Sequence, residues 1–228
     1  MRRFSLIMGV LISAVCQLSA SSITTLTFEG MQDQEQILDY YDGGLGGDNS
    51  GPGPSYGITF GPYALALISD AQGGSGNFSG QPSGKTALFF QNQPSVANDV
   101  MNVAGGFSTG LSFYYTAIYA GGTVQVYSGA NGTGSLLATL VLPQTPSTPG
   151  TPPCNSTDAF CPWEPFGASF SGTAHSVVFA GAANQVGFDN LTLGSVSPVS
   201  TPEPESAWLL VIGGALLFQY ASCKRKAP

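Results

Sequence analysis

Thr123-Val124-Gln125-Val126-Tyr127 decides the fold class. Val124 and Val126 alternate with neighbours of mixed polarity, the period-two pattern of a strand with one face on a core. Val186-Gly187-Phe188-Asp189-Asn190-Leu191-Thr192-Leu193 has the same β-rich composition with a less regular alternation. Working outward, runs rich in Val, Ile, Thr, Phe and Tyr occupy 23–28, 56–60, 63–69, 86–91, 110–119, 123–128, 136–142, 166–171, 174–180 and 186–193, separated by Gly, Pro, Asn and Ser clusters. About ten strands punctuated in this way predict an all-β sandwich. Between the two ends of the chain there is no apolar 3.6 period of helical length, and no internal repeat.

Composition agrees. The chain has 228 residues, of which 31 are glycine and 16 proline, and this resists long helices. Hydrophobic residues at 43% still supply a core, so wholesale disorder is excluded. Only 8% of residues are charged, against roughly 25% in an ordinary soluble protein. Five of the six basic residues are Arg2, Arg3, Lys224, Arg225 and Lys226, so residues 21–200 carry eleven acids against Lys85 alone, a formal charge of −10. Nucleic acid is excluded as a partner, because phosphate binding needs clustered Lys and Arg. Divalent cations are the natural complement.

The two ends read as delivery segments. Residues 1–20 combine Arg2-Arg3, an apolar run and the small-residue exit Ser19-Ala20-Ser21-Ser22, the order of a secretory signal helix cleaved after Ala20. Cys16 leaves with it, since Val15 stands where a lipoprotein site needs a small residue. Near the C-terminus, Pro202-Glu203-Pro204 precedes an uncharged stretch at 207–221, followed by Lys224-Arg225-Lys226. As a helix those fifteen residues span about 22 Å, short of the roughly 30 Å hydrocarbon core, though flanking residues extend them. The basic end stays cytoplasmic and the body outside, the orientation the signal segment also imposes.

This tripartite tail, 198–228, resembles the PEP-CTERM sorting signal of Gram-negative bacteria. The resemblance implies processing by an exosortase-type enzyme of the inner membrane, an initial tether through a single C-terminal transmembrane helix, and association with exopolysaccharide or biofilm at the cell surface or in the matrix. An ordinary single-pass anchor is the alternative. Leu142-Pro143-Gln144-Thr145-Pro146 has the look of a Gram-positive wall-sorting signal, but lacks its glycine and a following span; it reads as loop.

Two long connections interrupt the body, 21–197. Residues 29–55 hold six of the eleven body acids, and residues 143–165 hold seven prolines with Cys154 and Cys161. In an exported, oxidising setting these two cysteines predict a disulfide that staples the proline loop. Zinc would need further Cys or His ligands, and His175 is the only histidine.

Leu26-Thr27-Phe28-Glu29-Gly30, Ser83-Gly84-Lys85-Thr86-Ala87-Leu88-Phe89-Phe90 and Val186 to Leu193 resemble bacterial jelly-roll domains of the carbohydrate-binding-module type. The resemblance implies a jelly-roll-like antiparallel β-sandwich whose first and last strands lie side by side, with a structural calcium ion held by Glu29 and Asp189. Sugar platforms need exposed aromatic faces, and among Tyr40, Tyr41, Tyr56, Tyr114, Tyr115, Tyr119 and Trp163 the long connections single out Tyr40, Tyr41 and Trp163. Tyr114 and Tyr115 are adjacent on a strand, so one faces inward and the other outward.

Catalysis is poorly provided for. Glu29, Asp33, Glu35, Asp39, Asp42 and Asp48 could supply a hydrolase with carboxylates, but nothing identifies the opposed pair such chemistry needs. No Gly-x-Ser-x-Gly elbow accompanies His175. The expectation is a non-catalytic exported surface or matrix protein. A carbohydrate-binding module is the first alternative and a glycoside hydrolase the second.

Overall fold

The computed structural model describes residues 23–91, 99–180 and 185–200. The strands are β1 (Thr24–Leu26), β2 (Glu35–Gln36), β3 (Ile58–Phe60), β4 (Ala64–Ile68), β5 (Thr86–Phe90), β6 (Val100–Thr116), β7 (Gly122–Tyr127), β8 (Leu136–Leu142), β9 (Glu164–Ala180) and β10 (Gly187–Leu193). All the ladders between them are antiparallel. Helix among the described residues is limited to the single turns Asp70–Gln72 and Ala130–Gly132, and no helix there is long and apolar enough to cross a membrane. The expected signal segment, the Pro202-Glu203-Pro204 motif, the 207–221 span and the basic end lie outside the described residues.

β8 coincides with its expected run, and most others shift by a residue or two. Two differences are larger. The runs at 166–171 and 174–180 are one strand, β9, and the run at 110–119 begins ten residues earlier, at Val100. Both were obscured by internal glycines, which read as breaks in a sequence but here sit in bulges. From Asn102 to Phe107 β6 advances five residues while β9 advances two, from Ser176 to Ala174. Gly106 in that bulge has φ of 68°, and a Cβ there would lie 2.8 Å from the His175 ring, so glycine is required.

Hydrogen bonding links the strands in the order β2-β4-β5-β10-β6-β9-β7-β8, with β1 beside β10 and β3 beside β6. β1 pairs with β10 through Thr24↔Leu193 and Leu26↔Leu191, as expected for a first and last strand side by side. In a flat sheet β5 and β9 would stand about 14 Å apart, three strand spacings. Yet the rings of Phe90 on β5 and Phe179 on β9 are 4.8 Å apart, and Phe188 on β10 meets Phe179 at 5.2 Å. The sheet is therefore folded face to face across the long bulged strands β6 and β9. Phe28, Leu88, Phe90, Phe113, Phe179 and Phe188 fill the interior, all fully buried.

Candidate functional site

The acidic connection after β1 is ordered by its own carboxylates. Glu35, completely buried, accepts from the amides of Gln32 (2.7 Å), Asp48 (2.9 Å) and Ser50 (3.0 Å). Burial raises the Glu35 carboxyl, but the Ser50 hydroxyl and the three amides outweigh it and hold the group below its ordinary range. Asp33 accepts from the Ile68 amide of β4 at 2.8 Å. Of the six carboxylates in this connection, Glu35 thus anchors irregular backbone and Asp33 ties it to β4.

Glu29 and Asp189 converge on one short segment before β5. Glu29 Oε1 accepts from the Lys85 (2.9 Å) and Thr86 (2.7 Å) amides, and Asp189 accepts from the amide and hydroxyl of Ser83, at 2.8 and 2.9 Å. Between them Gly84 has φ of 46°, and a Cβ there would lie 2.3 Å from the Glu29 carboxyl carbon, so only glycine lets the two acids grip the same turn. Asp189 is fully buried. Burial pushes its carboxyl up to about 7; Ser83 and the Asn190 amide oppose this, and the charge of Glu29 adds to it. Neighbouring Asn190 is also fully buried, and neither polar atom of its side chain has a hydrogen-bond partner among the described residues. No cluster of three or more His, Cys, Asp or Glu occurs among those residues, so a cation here would complete its shell with amide, carbonyl and hydroxyl oxygens.

The three aromatic residues singled out as stacking faces are not offered to solvent. Tyr40 and Tyr41 are buried, at 8% and 4% exposure. Tyr41 packs edge-on against Phe28, and its hydroxyl accepts from the Phe28 amide at 2.7 Å; the Tyr40 hydroxyl donates to the Glu29 carbonyl at 3.2 Å. They staple the acidic connection to the core. Trp163 is 9% exposed, donates its indole N–H to the Ser79 carbonyl at 3.0 Å, and meets Phe78 edge-on at 5.7 Å. Of the tyrosine pair, Tyr115 is buried and Tyr114 half-buried, as strand alternation requires.

The Cys154–Cys161 disulfide is present, with the Cα atoms 5.6 Å apart. The stapled loop docks on residues 77–80: Phe160 bridges to Phe78, and the Asn155 amide donates to the Ser79 hydroxyl at 2.9 Å. Docking carries Phe160 to the outer face of β4 and β5, where it meets Tyr119 edge-on at 5.6 Å. Tyr119 is 62% exposed, and Gln144 holds its backbone carbonyl. These two rings, with Leu65, Leu67 and Phe89, form the apolar part of a groove of about 480 Å³. Its polar lining is Gln34, Ser75, Asn77, Gln91 and Gln185, and Gln34 donates to Ser75 at 2.8 Å across the rim. Sequence parity hides Tyr119: it shares its parity with buried Tyr115 and Ala117, and only the end of β6 at Thr116 frees it to turn outward.

His175 lies elsewhere, in a concavity of about 360 Å³ with Asp42, Thr59 and Asn102. Its Nδ1 is 3.2 Å from the Val103 carbonyl.

No protein-family model matches this sequence, and a search of curated proteins returns no match. Some solved structures are similar to parts of this chain. The K2 cleaved adhesin domain of Lys-gingipain is similar at a TM-score of 0.44 and 14% identity, over 76% of this chain and 98% of that one. A glycoside hydrolase family 43 arabinoxylan arabinofuranohydrolase from Bacillus subtilis, in complex with cellotetraose, gives 0.38 at 20% identity over 60% of this chain. This chain spans about a quarter of it, 26%. CsCBM6-3 from Clostridium stercorarium, in complex with cellobiose, gives 0.35 at 15% identity over 60% of this chain and 85% of that one.

Glu35 sets a pH test. Its folded carboxyl lies below its unfolded value, so its contribution is complete above the ordinary carboxylate range and is lost as pH falls through the folded value. Glu35→Gln keeps the shape but not the charge, and should cost about 1–3 kcal/mol at pH 7 in denaturant unfolding. The difference from the parent protein should shrink in acid; a difference that is constant from pH 7 to pH 3 refutes the assignment.

Proposed function

We propose that this chain is an exported, non-catalytic cell-surface protein that holds extracellular polysaccharide in the groove of Tyr119 and Phe160. The observation that carries this is an exposed aromatic ring, braced edge-on by a second, in a groove also lined by amide side chains. Aromatic faces stack on the C–H faces of sugars, and amides both donate to and accept from hydroxyls. Delivery and sorting rest on the sequence: the signal segment at 1–20 and the PEP-CTERM-like tail at 198–228, which calls for an exosortase-type enzyme and an inner-membrane tether. The disulfide suits an oxidising destination. The non-catalytic part is supported by how four of the acids are employed, since Glu29, Asp33, Glu35 and Asp189 all accept from backbone amides, and no acid lines the groove among the described residues.

Calcium belongs to the same proposal as a structural ion at Glu29 and Asp189. A buried carboxyl pushed up to about 7 beside a second acid is a place where a divalent cation restores the ionised form, and the unpartnered Asn190 amide oxygen is a further ligand of the right kind.

In affinity electrophoresis against a panel of soluble polysaccharides, the full-length protein in detergent should be retarded by at least one polymer. Tyr119→Ala should weaken that binding about tenfold without changing the melting temperature. Indifference to every polymer refutes the function. For sorting, mass spectrometry of the native protein should find a C-terminus near Pro204; an intact Pro228 selects the ordinary anchor. For calcium, the melting temperature should rise with added ion and fall with chelator, more at pH 8 than at pH 5, because Asp189 is ionised only at the higher value. If Asp189→Asn responds to calcium as the parent does, the ion is not at this site.

A further inference from the structure

The lining of the groove also selects among polysaccharides, an inference that rests on the carbohydrate-binding function proposed above. Among the described residues none that lines it is charged; the polar ones besides Tyr119 are three glutamines, one asparagine and one serine. Lys85 is the only Lys or Arg between residues 21 and 200, and it does not line the groove. A sugar carboxylate or sulfate entering the groove would surrender its water with no cation to replace it, which is unfavourable unless the charge is paired. The eleven acids of the body add a field that repels polyanions before contact. Hydroxyl groups face no such obstacle. Each is a donor and an acceptor at once, as is each amide, so Gln34, Asn77 and Gln185 suit sugar hydroxyls.

We infer that the groove takes neutral polysaccharides and rejects uronate- or sulfate-bearing ones, reading hydroxyls through its amides while Tyr119 covers a sugar face. Binding then owes little to long-range charge.

The test uses full-length protein in detergent with chelator present, so that calcium cannot bridge acid to acid. The neutral probes are a mixed-linkage β-glucan, a xylan, a galactomannan and dextran; the anionic probes are polygalacturonate, alginate and a sulfated galactan. Retardation by a neutral polymer alone is expected, with affinity changing less than about twofold between roughly 50 and 500 mM salt. Tyr119→Ala should weaken it about tenfold and Gln185→Leu about fivefold, so a folding defect in one variant leaves the other to decide. Retardation by an anionic polymer that Tyr119→Ala removes overturns the selectivity while leaving carbohydrate binding in place. Silence from both classes overturns the function, and this inference with it.

Discussion

The hydrogen bond between a carboxylate and a backbone amide is the interaction on which the irregular half of this molecule depends. A domain with a single lysine cannot pair its acids with cations, and unpaired acids in its loops would cost stability. The amides of glycine- and proline-rich connections face the complementary difficulty, because they have no ladder to join. Each solves the other's problem. Glu35 gathers three amides of its own connection, Asp33 ties that connection to β4, and Glu29 and Asp189 clamp the turn before β5 from both sides. Of the acids that look like a catalytic supply in the sequence, Glu29, Asp33 and Glu35 hold backbone amides.

The same economy shapes the groove. Its floor is the outer face of β4 and β5, held rigidly by the folded sheet, and its aromatic wall is brought in by two segments without secondary structure of their own. One is the exit of β6, where Tyr119 is fixed through its carbonyl by Gln144. The other is the proline loop, closed by Cys154–Cys161 and seated on Ser79 by Trp163 and Asn155. Trp163 thus supports the groove from beneath, by holding the loop that presents Phe160. Closing the loop with a disulfide removes conformational freedom from the segment that carries Phe160.

Much of the fold was legible because alternation and burial have the same cause. Val124 and Val126 point inward, both fully buried, and β8 matched its run residue for residue. What could not be read were the long strands β6 and β9, whose glycine-containing bulges resemble breaks, and the two-residue β2, whose Glu35-Gln36 pair has no strand character and is held by its surroundings. The site was less legible than the fold. Tyr40 and Tyr41 lie in a polar, glycine-rich stretch that suggests a surface loop, but their rings complete the core beside Phe28 and Phe60.

By itself the sequence determined the strand-rich architecture, the near-absence of cations from the body and the disulfide pairing, because each follows from local composition or from the count of cysteines left in an exported body; that Glu29 and Asp189 grip one turn was decided by the tertiary structure. The tertiary structure alone decided which aromatic rings face water. Burial of a ring is set by where a strand ends and by which loop lies over it, and Tyr119 and Phe160, 41 residues apart, meet only when the disulfide loop settles on residues 77–80 beside β4 and β5.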